Sequence, residues 1–167
     1  MNSVSGLDKR LQEVLTRPDF LEMRGVAKEV PIFIQTYSPA DEDQLIQVFL
    51  NLVKNAAEAA HRRGDGQGEI IIRTAFRHGV RIRTGGAKGL RSTPLEVRII
   101  DNGPGVPVAL RDSLFQPFVT GRSGGVGLGL ALVSKLVSAH GGLIDFDSEP
   151  GRTVFRVLLP IVSEEPA

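Results

Sequence analysis

The segment from Asp43 to Ala60 constrains the fold more than any other part of the sequence. At about 100° per residue, its apolar side chains cover one half of a helical cylinder. These apolar positions are Leu45, Val48, Phe49, Leu52, Val53, Ala56, Ala59 and Ala60. Acidic residues precede the segment, "HRR" follows it and Gly64 stops it, which are the usual signals of helix ends. The pattern predicts a long helix whose apolar half is buried against another layer.

The opposite side of this helix carries a narrow stripe of carboxamides where Lys and Glu would be usual. The stripe consists of Gln44, Gln47, Asn51, Asn55 and Glu58. Asn is a poor interior helix former, and Asn51 and Asn55 lie one turn apart, so their side chains project together. A carboxamide oxygen is a suitable ligand for Mg²⁺, which takes further ligands from water and substrate phosphates. The alternative is a polar face with incidental Asn and Gln.

Alternating and apolar runs predict the rest of the fold. Strands are expected in "KEVPIFIQTY", "GEIIIRTAF", "LEVRIID", "LIDFD" and "TVFRVLLPIV", and a short helix is possible at residues 7–16. Pro31 favours an edge position for the first strand. Neighbouring strands with interposed helices indicate an α+β domain in which a sheet is covered by helices.

Composition excludes several classes of protein. The chain has 167 residues, a net charge of +1 and no cysteine. It therefore lacks disulfides, thiol catalysis and a strong overall field for nucleic acid or membranes. We find no apolar run of the length that a membrane span needs and no signal peptide, so we expect a cytoplasmic domain.

The segment "VRIIDNGPGVP" places Asp101 at the end of a half-buried strand. Asp, Asn, Gly and Pro are the usual residues of turns, so a simple turn is one interpretation. The other is that Asp101 accepts a hydrogen bond from a ligand amine while Gly103 and Gly105 let the backbone approach a flat ring. The sequence of this segment alone leaves both open.

The segment "GRSGGVGLGLALVSKLV" has five glycines in nine residues before an apolar helix. It does not fit the Walker loop, because no Lys follows the glycines, or the dinucleotide fingerprint, because the spacing differs. Backbone N–H groups at a helix N-terminus nevertheless favour an anion. The alternative is a flexible surface loop.

Four motifs in order resemble the ATP-binding catalytic domain of two-component histidine kinases, in the GHKL superfamily. "DQLIQVFLNLVKNAAEAA" is similar to the N box, "DNGPGV" to the first glycine box, "LFQPFVT" to the F box and "GGVGLGLALVSKLV" to the second glycine box. "PFVTGRSGGVGLGLALV" and "HGGLIDF" are most similar to the nitrogen-regulation type. The resemblance implies a two-layer α/β sandwich, a mixed sheet covered on one face by about three helices, with ATP between the Asn helix and a mobile lid.

The resemblance also implies roles for particular residues. Asn55 is the expected Mg²⁺ ligand, and Asn51 and Arg122 complete the expected catalytic set near the phosphates. Asp101 is expected to bind the adenine amino group, with help from Thr153 and water. Phe118 is expected to pack the lid down. The other implied ATP contacts are Gly103, Gly105, Thr120, Gly125, Gly127, Leu128, Gly129 and Leu130.

Asn51 distinguishes this chain from the chaperone and gyrase ATPases of the superfamily, which carry a Glu at that position as general base. Since Asn cannot titrate, we expect a protein-histidine kinase that positions ATP for an acceptor histidine elsewhere. His61, His78 and His140 do not resemble the acceptor motif, so this chain alone is not expected to autophosphorylate. A nucleotide-gated interaction module without phosphotransfer is the alternative.

Partners and boundaries follow from the same resemblance. The expected partners are a histidine phosphoacceptor/dimerisation domain, an NtrC-like response regulator reached indirectly and a PII-type signal protein; the chain itself is expected to be a monomer. The predicted division is an unassigned segment at residues 1–29, the catalytic domain at 30–162 and a tail at 163–167. The basic segment "RHGVRIRTGGAKGLR" is interpreted as a solvated hairpin loop, with nucleic acid or an acidic partner as the alternative.

Overall fold

The computed structural model describes residues 42–77, 79, 81–83, 90–93, 95–121 and 125–160. In chain order the elements are α1 (Glu42–His61), β1 (Ile70–Phe76), β2 (Arg81–Arg83), β3 (Leu90–Ser92), β4 (Leu95–Asp101), a 3₁₀ helix (Val108–Ser113), α2 (Gly129–Ala139), β5 (Leu143–Glu149) and β6 (Arg152–Leu159). The helix predicted at residues 43–60 and four of the five predicted strands are confirmed. The possible helix at 7–16 and the strand predicted at 28–37 lie outside the described residues.

Four strands form one sheet in the order β1-β4-β6-β5, and the neighbouring strands all pair antiparallel. β4 and β6 are neighbours although the 3₁₀ helix, α2 and β5 separate them in sequence. The register aligns Asp101 of β4 with Ile70 of β1 and Thr153 of β6. The basic segment that was interpreted as a solvated hairpin loop includes two short strands, β2 and β3, which pair antiparallel with each other as in a hairpin.

Both α-helices pack on the same face of this sheet. Leu52 and Val48 of α1, and Val133 and Val137 of α2, have no exposed surface, and they join Ile99 of β4 in one core. Alternation along the strands explains this arrangement, because Val97 and Ile99 point to the helices while the residues between them point away. Each fully buried Leu or Val stabilises the fold by about 1.5–3 kcal/mol.

The α+β class and the two-layer arrangement agree with the prediction. The parallel pairing that a mixed sheet requires is not found among the described strands, and the additional strand predicted at residues 28–37 lies outside them. His140 is the C-terminal cap residue of α2, and Gly141 follows with a φ of 69°, which is the usual geometry of a glycine after a helix. Within the described ranges, no helix combines the length and apolar character that crossing a membrane demands.

Candidate nucleotide-binding site

Asp101 lies at the end of β4, on the face of the sheet that carries the helices. Only 2% of its surface is exposed, and its Oδ1 accepts a hydrogen bond of 2.9 Å from the Gly103 N–H. Burial raises the pKa of Asp101 to about 6, although the Gly103 hydrogen bond and the charge of Arg62 both act to lower it. The carboxylate is therefore a buried acceptor whose ionised form lacks full compensation.

A set of hydroxyl groups lies beside Asp101 on the neighbouring strands. Thr153 is the cross-strand partner of Asp101 and is buried, with its hydroxyl 3.0 Å from that of Ser148. Ser148 Oγ also accepts a 2.8 Å hydrogen bond from the Val106 N–H. Ser148 thus connects Thr153 to the loop after β4. Ser148 was not among the residues predicted from the sequence, because only the strand register shows that it faces Thr153.

The loop after β4 approaches its surroundings so closely at two positions that a side chain is excluded there. A Cβ on Gly103 would lie 2.5 Å from the Ala59 carbonyl oxygen of α1. Gly105 has a φ of 86°, and a Cβ there would lie 2.9 Å from the Glu149 carbonyl oxygen. The backbone N–H of Gly151 also donates to Gly103 O at 2.9 Å. These contacts fix the loop between α1 and the β5–β6 turn.

Asn102 holds the same loop from the outside. Its Oδ1 accepts a 2.8 Å hydrogen bond from the Glu69 N–H, and its Nδ2 donates to the Gln67 carbonyl at 2.9 Å. Both contacts join the loop to the segment that precedes β1. The turn residues in "DNGPG" therefore predict the backbone of this loop correctly. The side chain of Asn102 stabilises the loop through these two hydrogen bonds.

The second glycine segment leads directly into α2. Leu128 is the residue before the first turn of α2, and no side chain caps this helix end. The first backbone N–H groups of α2 are therefore available to a ligand in front of the helix. This geometry binds anions. The side chain of Leu130 packs partly against the core, whereas that of Leu128 is exposed.

Glycine is required at one further position of this segment, Gly127, and a second glycine, Gly129, contacts α1. Gly127 has a φ of 71°, and a Cβ there would lie 2.6 Å from the Phe118 carbonyl carbon. The Phe118 N–H donates to Gly127 O at 2.9 Å, which closes the base of the loop. A Cβ on Gly129 would meet Asn51 Oδ1 at 3.5 Å, so the N-terminus of α2 abuts the carboxamide stripe of α1.

The carboxamide stripe is buried only in part, and its residue Gln47 is exposed. Asn51 and Asn55 are both partly buried, and Asn51 Nδ2 donates to the Gln47 carbonyl at 3.0 Å. That bond leaves Asn51 Oδ1 directed to the α2 side, where Gly129 lies. Asn51 and Asn55 thus lie along the edge of α1 that runs from α2 toward the loop after β4.

The predicted lid residues are placed only in part. Thr120 and Gly125 are described and exposed, whereas Arg122 lies outside the described residues. The expectation that Phe118 packs the lid down is wrong for this structure, because its side chain is 74% exposed and its φ is 66°. The close contact with Gly127 explains this, since it fixes the Phe118 backbone in a conformation that directs the ring outward.

Comparisons with known proteins place these features in one family. Residues 40–163 match the model of the histidine kinase-, DNA gyrase B- and HSP90-like ATPases. The sensory histidine kinase/phosphatase NtrB of Rhizobium leguminosarum bv. phaseoli is 48% identical over 90% of the chain. The chain spans 34–42% of the length of the first four curated relatives it matches.

Solved structures of histidine kinases superimpose on this chain. The mycobacterial sensor histidine kinase MprB superimposes with a TM-score of 0.64 at 25% identity, and the match covers 92% of each chain. Full-length ShkA in complex with AMPPNP superimposes with a TM-score of 0.63 at 25% identity, over 96% of this chain and 31% of ShkA.

Proposed function

Because the chain belongs to the histidine kinase-, DNA gyrase B- and HSP90-like ATPase family, we propose that it is the ATP–Mg²⁺-binding catalytic domain of an NtrB-type sensor histidine kinase. It donates the γ-phosphate of ATP to a histidine on a separate dimerisation domain. The NtrB relatives and the nucleotide-bound ShkA neighbour support this proposal.

One observation carries the proposal: α1 touches both glycine segments, at opposite ends of the edge that Asn51, Asn55 and Ala59 form. Gly129 approaches Asn51, and Gly103 approaches the carbonyl of Ala59. Asn51, Asn55 and Ala59 follow one another at intervals of one turn, so this edge extends for roughly 12 Å at 1.5 Å per residue. A nucleotide along this edge would have its base at Asp101 and its phosphates at α2.

The residues present suit each part of ATP. The buried Asp101 carboxylate accepts a hydrogen bond from the adenine amino group, with the Thr153 hydroxyl beside it. The uncapped N-terminus of α2 offers N–H groups to the phosphates. Asn55 supplies a neutral oxygen to Mg²⁺, and Arg122, in the lid, meets the terminal phosphate. When bound, Mg²⁺ neutralises charge on the phosphates during transfer.

The proposed reaction is an in-line displacement. A histidine ring nitrogen of the acceptor attacks the γ-phosphorus, a P–N bond forms, the bond to the β-phosphate oxygen breaks and ADP leaves. Asn51 cannot remove a proton from water, so this chain lacks the Glu that related ATPases use at that position to activate water. Positioning of ATP is therefore its main contribution.

We propose particular partners and boundaries for this catalytic domain. The response regulator is NtrC-like and is reached through the acceptor histidine, and a PII-type protein supplies the signal. The catalytic unit is assigned to residues 30–162 and to the cytoplasm, and it acts as a monomer that docks on the dimerisation domain.

A transfer assay tests the proposal. The chain is incubated with Mg²⁺, γ-labelled ATP and the dimerisation domain of an NtrB-type kinase, with the same domain carrying Gln in place of its acceptor histidine as control. We expect acid-labile label on the first acceptor alone, and none when Asn55→Ala replaces the wild-type chain. If ATP binds but no label is transferred, the kinase proposal is wrong and a nucleotide-gated interaction module is the better description.

A further inference from the structure

A cross-strand row of three polar residues lies on the helix-facing side of the sheet. Asp101 of β4 is the partner of Thr153 of β6, and Thr153 is the partner of Ser148 of β5. All three residues are buried. Thr153 therefore lies between the other two, at a Cα–Cα distance of about 5 Å from each. Ser148 has no role in the proposed phosphotransfer, although it completes this row.

The Ser148 hydroxyl has two hydrogen-bond partners in the ranges that the structure describes. Its Oγ accepts from the Val106 N–H at 2.8 Å and lies 3.0 Å from Thr153 Oγ1. A hydroxyl has one proton to donate and two lone pairs that accept, and a backbone N–H can only donate. The contact between the two hydroxyls therefore has two possible directions: Ser148 donates to Thr153, or Thr153 donates to Ser148.

The carboxylate of Asp101 favours donation from Ser148 to Thr153. In the opposite direction, a lone pair of Thr153 would be turned toward the buried carboxylate, which costs free energy in a medium of low dielectric constant. When Ser148 donates, the Thr153 proton is turned to the Asp101 side instead. Val106, Ser148 and Thr153 then form one chain of donors that runs toward Asp101, and the bonds of such a chain polarise one another.

This direction places a donor beside an acceptor. Asp101 Oδ1 accepts from the Gly103 N–H, and no hydrogen bond joins the described side chains of Asp101 and Thr153. The Thr153 proton is therefore available to a ligand next to the Asp101 carboxylate. Adenine carries an amino donor at C6 and an acceptor at N1, whereas guanine carries a carbonyl acceptor at C6 and an N–H donor at N1. An acceptor followed by a donor matches adenine and opposes guanine.

We propose that Ser148 is a positioning residue that holds the Thr153 hydroxyl as a hydrogen-bond donor, so that Asp101 and Thr153 together select adenine over guanine. Thr153 donates to N1 of adenine, directly or through one water. This inference rests on the proposed ATP site and adds the residue that fixes the direction of its donor. If Ser148 only stabilised the loop at Val106, its loss would weaken the binding of related nucleotides to the same extent.

Titration with a nucleotide that differs at one ring position tests the inference. The probes are ATP and 1-deaza-ATP, both with Mg²⁺; the analogue has C–H in place of N1 and keeps the amino group. Wild type should bind ATP about tenfold more tightly than 1-deaza-ATP, because the analogue leaves the Thr153 proton without an acceptor. In Ser148→Ala this ratio should fall to about threefold or less, because the Thr153 hydroxyl is no longer held in one orientation.

Three further variants separate orientation of the hydroxyl from a general effect on the fold. Ser148→Thr keeps the hydroxyl and should keep the ratio of wild type. Thr153→Val should lower the ratio as Ser148→Ala does, and combining the two should lower it no further, since both act through one hydrogen bond. The matched control is Ser138→Ala, which makes the same change at an exposed position of α2 and should keep the ratio of wild type.

The result that overturns the inference alone is an equal ratio of the two affinities in Ser148→Ala and wild type, whatever the absolute affinity for ATP. If Ser148→Ala does not fold, Ser148→Cys gives the same comparison, because a thiol is only a weak donor. A wild-type chain that binds neither nucleotide would overturn the proposed ATP site together with this inference.

Discussion

At the residue scale, Asp101 is subject to two opposing requirements. Its burial disfavours the charged carboxylate and raises the pKa to about 6 from an ordinary value of 3.8. Binding of an amine, in contrast, is strongest when the carboxylate is ionised. The free domain is therefore more stable with Asp101 protonated, while the proposed ATP complex needs Asp101 charged. Such a conflict is common at binding sites.

The first prediction concerns Asp101→Asn. At pH 7.5 the variant removes an ionised buried group whose cost is on the order of 2–3 kcal/mol, so the melting temperature of the free chain should rise by roughly 5 °C. ATP affinity should fall about tenfold or more, because a charge-assisted hydrogen bond is lost. Calorimetry measures both effects. Asp147→Asn, at an exposed position of β5, is the matched control and should change neither.

The pH dependence has a defined sign. Because the folded pKa of Asp101 is raised to about 6, its stabilising contribution is complete below pH 3.8 and is lost as the pH rises through 6. ATP affinity should change in the opposite direction and fall as the pH drops from 7.5 to 5. The measurement is ATP affinity across this range. Equal affinity at both ends of the range would contradict a direct role for the Asp101 carboxylate.

Several candidate site residues stand out because their type is unusual at their place in the sequence. Carboxamides on a helix face and an acid at the end of an apolar strand draw attention to Asn51, Asn55 and Asp101, but the residue types alone also allow a polar face and a turn, and only the resemblance to the kinase motifs gives these residues expected roles. Ser148 could not be found in this way, because a serine in a strand is ordinary. Its place beside the candidate site follows only from the strand register, which brings the Ser148 hydroxyl to 3.0 Å from the Thr153 hydroxyl.

At the element scale, the segment between Phe118 and α2 depends on a contact that only glycine permits. Gly127 and Gly66 have the same φ of 71°, but a Cβ on Gly127 would meet the Phe118 backbone at 2.6 Å, while one on Gly66 would meet nothing within 4 Å. The two positions share the strain of a positive φ and differ in contact. They form a natural pair for testing the lid.

The second prediction is therefore that Gly127→Ala lowers ATP affinity much more than Gly66→Ala. The added methyl group must displace the backbone at Phe118 and open the base of the lid, whereas Gly66→Ala bears only the backbone strain of about 1 kcal/mol. We expect about a tenfold loss for Gly127→Ala and almost none for Gly66→Ala, measured by nucleotide titration. Equal ATP affinity in the two variants would show that the contact is irrelevant.

Elements with regular periodicity were predicted well, and those defined by tertiary contacts were not. The alternation in "LEVRIID" predicted β4 with its observed bounds, Leu95–Asp101. The conformation of Phe118 could not be predicted, because it follows from the contact with Gly127 across the loop. The bounds of the short strands β2 and β3 could not be predicted either, because these strands lie in a segment of charged residues and glycines.

At the scale of the whole molecule, the proposed site depends on the convergence of the two glycine segments on α1. Composition and motif order predicted an α+β nucleotide-binding domain, but not which turn of α1 meets which glycine. The structure shows that Gly129 meets α1 at Asn51 and that Gly103 meets it at Ala59. The antiparallel order β1-β4-β6-β5 brings Asp101 and Thr153 together.

The most direct test of the account is the Mg²⁺ dependence of ATP affinity in wild type and Asn55→Ala, measured by calorimetry with Mg²⁺ and with EDTA. Lys54→Ala, at an exposed neighbouring position on the same helix, is the control. We expect Mg²⁺ to raise the ATP affinity of wild type and Lys54→Ala by about tenfold, or 1.4 kcal/mol, and Asn55→Ala to lose this gain. A wild-type chain that does not bind ATP, or an undiminished Mg²⁺ effect in Asn55→Ala, would contradict it.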